Sequence, residues 1–118
     1  MQYHEIENVA LDVLRDAGGS YLFPYQVFKR LKERDPSLGQ RIEAQYPVQP
    51  GNPTMGEGAG IRYSCATFVA KALSHFRNNP ARSQHLDLKW FDTGGVEIDG
   101  IIPGNKEATS IWAWDPQS

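Results

Sequence analysis

The chain has 118 residues, 40% of them hydrophobic and 22% charged, with a formal net charge of -2, which describes one soluble domain over residues 1–118 around a single core. No apolar run approaches the roughly 18 residues of a membrane span, and the start, MQYHEIENVA, lacks a basic region followed by an apolar one, so a cytoplasmic protein without a membrane partner is expected. The single cysteine, Cys65, excludes an internal disulfide framework and any zinc site built on several thiolates.

Ile6, Val9, Ala10, Val13, Leu14 and Ala17 recur at helical spacing and predict a first helix over about residues 4–17, stopped by Gly18-Gly19. Tyr21-Leu22-Phe23 is short, aromatic and extended, and Pro24 suits the first position of a second helix, where its missing N–H costs nothing. Val27, Phe28 and Leu31 form the apolar stripe of that helix, while Lys29, Arg30, Lys32, Glu33 and Arg34 face outward. Asp35-Pro36 ends it and caps a further short helix with Leu38, Ile42 and Tyr46 on its inner side.

Residues 47–60, PVQPGNPTMGEGAG, break regular structure. The cluster Gly56-Glu57-Gly58-Ala59-Gly60 could let backbone N–H groups approach a phosphate, but no Lys-Ser/Thr pair follows and Glu57 repels an anion, so a connector or a loop over the core is the better reading. No cofactor is expected. Ser64 to Asn78 then predicts a two-faced helix, with Cys65, Val69, Ala72, Leu73 and Phe76 on the apolar side and Thr67, Lys71, Ser74 and Asn78 opposite. The alternation of Leu86, Leu88 and Trp90 reads as a strand, Asp92-Thr93-Gly94-Gly95 as a turn, and Val96, Ile98 and Ile101 as a disturbed second strand. Pro103-Gly104-Asn105 marks another turn, and Ser110 to Trp114 predicts a last strand. The expected fold class is α+β, with a helical part over about residues 1–79 and a small C-terminal antiparallel sheet over about residues 85–115.

The charge is spread unevenly. Residues 58–91 hold Arg62, Lys71, Arg77, Arg82 and Lys89 against Asp87 alone, whereas residues 92–118 hold Asp92, Glu97, Asp99, Glu107 and Asp115 against Lys106. A basic middle of this kind can meet an acidic partner or form an ordinary solvated surface.

The order helix, short strand, helix, loop, helix, hairpin resembles a winged helix-turn-helix of the HARE-HTH type. The resemblance rests on ALDVLRDAGGSYLFPYQVFKRLKER for the first two helices, ATFVAKALSHF for the third and the stretch from Trp90 to Trp114 for the wing. Two departures are visible: the connection into the third helix is long, and the wing is acidic. The resemblance implies a non-enzymatic DNA-binding or protein-interaction module that could serve as a transcriptional regulator. In the DNA-binding case Thr67, Lys71, Ser74 and Asn78 would lie in a major groove, and Arg77, Arg82 and the basic second helix would neutralise phosphates, with Lys106 in the wing.

CATFVAKAL is also similar to the nucleophile helix of papain-like cysteine hydrolases, including CHAP-type amidases. That alternative implies Cys65 as nucleophile at a helix N-terminus, His85 as base, and Asp99 or Asn105 to orient it. Cys65 also lies at the centre of its helix's apolar face, the usual place of an inert thiol. His4, His75 and His85 have no ligand spacing, so no metal is expected. Trp90, Trp112, Trp114 and Phe91 can stack on nucleic acid if exposed; otherwise they close a core or an oligomer interface. Because Trp112 and Trp114 share one strand face and Ile111 and Ala113 the other, a homodimer through the C-terminal sheet is a further expectation.

Overall fold

The first amphipathic segment divides at its start: Tyr3–Ile6 forms a 3-10 turn and Glu7–Asp16 the helix α1. The computed structural model describes residues 1–47, 64–79, 85–92 and 108–116. Gln2 N–H donates to the Glu5 carboxylate at 2.6 Å, which holds that carboxyl below its ordinary value, first through this backbone bond and then through Arg41. α1 ends where Gly18 and Gly19 take φ of 65° and 92°, left-handed values at which a Cβ would be strained.

Pro24 opens α2, Pro24–Arg34, as expected, and Phe23 N–H donates to Gln26 Oε1 at 2.8 Å to close the entry. Asp35 accepts from Leu38 N–H at 3.1 Å and starts α3, Pro36–Gln45. This is a full helix, so the segment expected as the third helix is the fourth, α4, Cys65–Arg77. Gly39 lets α3 approach α2 closely: a Cβ there would lie 2.5 Å from Lys32 Cγ and 2.9 Å from Lys32 Cα.

The sheet follows the helices. β1, Leu86–Asp92, pairs antiparallel with β2, Ala108–Trp114, in the register that sets Leu88 opposite Trp112. Leu22 bridges to the other edge of β2, donating to Trp112 O at 2.8 Å and accepting from Trp112 N–H at 2.9 Å. Trp112 therefore sits between two edges and is 1% exposed, its indole N–H donating to Ser110 Oγ at 2.9 Å. Trp114 on the same face lies under the Arg15 guanidinium, 4.5 Å from its ring, and 4.9 Å from the His85 ring. On this face Trp112 is covered by the chain's own residues and Trp114 is half-buried, while Trp90 stays exposed.

One core runs through the molecule, from Ile6, Leu14, Val27, Leu31 and Ile42 to Phe68, Leu73, Phe76, Leu86 and Trp112. Each fully buried aliphatic or aromatic side chain of this set contributes about 1.5–3 kcal/mol from removal of its surface from water. The architecture is α+β: among the described residues, four α-helices are followed by an antiparallel sheet of two strands. Among the described residues no helix is long and apolar enough to cross a membrane. Residues 48–60 of the Gly/Pro-rich segment, the strand expected at Val96, Ile98 and Ile101, and Arg62, Arg82, Asp99, Asn105 and Lys106 lie outside the described residues.

Candidate nucleic-acid interface

The outer face of α4 is built from residues that the apolar spacing forces outward. Cys65, Phe68, Val69, Ala72, Leu73 and Phe76 are buried, which fixes the helix's rotation and leaves Lys71, Ser74, Arg77 and Asn78 exposed. Lys71, Ser74 and Asn78 follow one another at i, i+3 and i+7 and share a stripe, and Arg77 borders it, three positions beyond Ser74. No carboxylate occurs in α4, whose own exposed cations are Lys71 and Arg77, with His75 also exposed at its edge. The His75 ring packs 5.4 Å from Tyr3 and is held at that edge.

Thr67 differs from the other expected contact residues. Its N–H donates to Ser64 Oγ at 3.1 Å and the two hydroxyls lie 3.0 Å apart, so Thr67 belongs to the helix cap and is half-buried. Arg82 falls outside the described residues.

α2 packs against α4 and adds charge unevenly. Lys32 is paired with Glu43 at 3.0 Å and Arg34 with Asp16, while Lys29 and Arg30 remain exposed. Lys29 lies over the Tyr25 ring at 5.5 Å. Arg30 lines a shallow open cleft with Val13, Asp16, Glu33 and Arg34, in which the two acids offset the cations. The charge of the basic second helix read from sequence is therefore partly offset by its neighbours, which periodicity along one helix could not reveal.

Cys65 is fully buried, and its thiol hydrogen faces the Tyr46 carbonyl at 3.5 Å. Burial first, and then the negative charge of Glu43, push the thiol from 9.0 to about 11, the direction opposite to that of an activated thiolate. His85 is half-buried, its Nδ1 lies 2.9 Å from the Asp115 carbonyl, and its ring rests on Trp114. No hydrogen bond joins the two among the described residues, and no group of three His, Cys, Asp or Glu side chains converges there as a metal site.

The sheet carries a second exposed feature. Trp90 is 71% exposed and Phe91 38% exposed, both near the end of β1. Alternation correctly groups Trp90 with Leu86 and Leu88, but Leu86 is buried under the core while Trp90, opposite Ser110, lies past it. On the other face the Tyr21 hydroxyl donates to Asp87, and Lys89 lies 4.9 Å from the Tyr21 ring. Tyr21, and behind it Asp87, hold the Lys89 ammonium above its ordinary value. No protein-family model, curated protein or solved structure matches the chain.

Proposed function

We propose that this chain is a non-enzymatic, winged-helix-like module that binds double-stranded DNA through the outer face of α4 and could act as a transcriptional regulator. The observation that carries the reading is the exposed face of α4 with Lys71, Ser74, Arg77 and Asn78, on a helix with no carboxylate of its own and packed on α2. A helix of this kind fits a major groove, where Ser74 and Asn78 would reach base edges and Lys71 and Arg77 would meet phosphates. The strand order is compatible with it, with α3 as an added helix before α4. Leu22 bridges to one edge of β2 and β1 pairs with the other, which is where the first strand and the wing of such a module would lie.

Lys71 and Arg77 would supply the salt-sensitive part of the affinity, and Ser74 and Asn78 the sequence preference. Cytoplasmic placement belongs to the same proposal and rests on a lone buried cysteine in place of disulfides. The exposed pair Trp90 and Phe91 favours a second reading, in which the domain is a protein-interaction module. The test is binding to a pool of duplex DNA with Lys71→Ala and Arg77→Ala variants: each should weaken binding and lower the salt slope by about one. Unchanged affinity in both variants removes the groove-facing helix from consideration.

A further inference from the structure

The hydrogen-bond phase of the sheet determines which main-chain groups of β1 face outward. Trp112 exchanges both backbone bonds with Leu22, so its N–H and C=O point away from β1. Leu88, opposite Trp112, is therefore in a non-hydrogen-bonded pair, and by alternation so are Leu86 and Trp90. The bond from Asp115 N–H to His85 O at 2.7 Å fixes the same phase at the end of the ladder. The donors and acceptors of Leu86, Leu88 and Trp90 thus point to the outer edge, where no strand among the described residues meets them. An edge of this kind, ending in an exposed Trp90 and Phe91, is a template for another strand.

We propose that this edge pairs antiparallel with β1 of a second copy, with Leu88 opposite its own counterpart across a two-fold axis. The side chains identify the occupant because their pattern is self-complementary in that register. A two-fold axis perpendicular to the sheet keeps faces matched, so the axis must pass beside a residue paired with itself. Centring on Asp87 or on Lys89 sets like charges opposite each other, and centring on Trp90 sets Leu88 against Asp92. Centring on Leu88 sets Asp87 of each copy opposite Lys89 of the other and Leu86 of each opposite Trp90 of the other.

The backbone agrees with that choice. In it Leu86, Leu88 and Trp90 form the hydrogen-bonded pairs, using the groups that face outward, and Asp87 and Lys89 form the non-hydrogen-bonded pairs, in which side chains approach more closely. Both charged side chains lie on the face that carries Tyr21, whose contacts with them the pairing across the axis would replace. The dimer stands independently of the DNA-binding reading, although it would bring two α4 helices into one assembly.

Sedimentation of the full chain over a concentration range tests the inference, using wild type, Asp87→Lys, Lys89→Asp and an equimolar mixture of the two variants. The wild type should rise from 13.2 kDa toward twice that mass. Each variant alone places like charges at both symmetric positions and should raise the dissociation constant by about tenfold or more. The mixture restores both opposite-charge pairs between unlike chains, so it should recover the dimer, which also shows that both variants are folded. A wild type that stays monomeric up to about 1 mM, single variants that dimerise as the wild type does, or a mixture no heavier than its components would each overturn the proposal.

Discussion

Cys65 makes the sharpest prediction, because a core thiol and a catalytic thiol respond to pH in opposite ways. The folded chain holds the thiol at about 11 against 9.0 for an open one, through burial and the charge of Glu43. The raised value means that the native state prefers the neutral form. Its stabilising share is fully present below pH 9.0 and is lost as pH rises through about 11. At about 1.4 kcal/mol per unit, the loss reaches roughly 2–3 kcal/mol when both forms are ionised. Tyrosines and lysines titrate in the same range, so the readout is a difference. Urea unfolding of wild type and Cys65→Ala at about pH 8 and about pH 10.5 should show the stability gap shifting by about 2 kcal/mol toward the variant. The native thiol should also react with a disulfide reagent only through unfolding. A gap independent of pH, or rapid reaction of the native thiol at neutral pH, would refute the core assignment and revive the hydrolase reading of Cys65 and His85.

Three further substitutions probe the frame that presents α4. Trp112→Ala removes a side chain that is 1% exposed and held between Leu22 and β1, and should cost about 3–5 kcal/mol in chemical denaturation. Gly39→Ala places a Cβ 2.9 Å from the Lys32 Cα, so α3 must move from α2, and the midpoint should fall by an amount equivalent to about 1–3 kcal/mol. Ser64→Ala removes the cap acceptor of Thr67 N–H and should cost about 1 kcal/mol, whereas an unchanged midpoint would deny the cap a role in holding α4.

Local chemistry made most of the helices legible. Pro24 and Asp35-Pro36 act within a few residues of themselves, and both helix starts fall where they place them. The buried face of α4, with Cys65 at its centre, follows from spacing alone. What escaped was non-local. Nothing in Tyr21-Leu22-Phe23 says that Leu22 will bridge to a strand ninety positions away at Trp112, and that bridge is what buries the tryptophan. The exposure of Trp90 escaped for a related reason, since alternation gives a residue's face but not how far the core extends beneath it. The pairing of Lys32 with Glu43 and Arg34 with Asp16 likewise depends on where α3 and α1 pack, so the outward positions of α2 were readable but their net field was not.

The most direct test of the central claim is titration of the purified chain against labelled duplex DNA at two salt concentrations, read by anisotropy, with Lys71→Ala and Arg77→Ala alongside. The expected result is micromolar binding that weakens steeply with salt and a slope that falls by about one in each variant. Absence of binding at low salt, or variants that bind as the wild type does, would contradict the proposal that the α4 face is a DNA-binding surface.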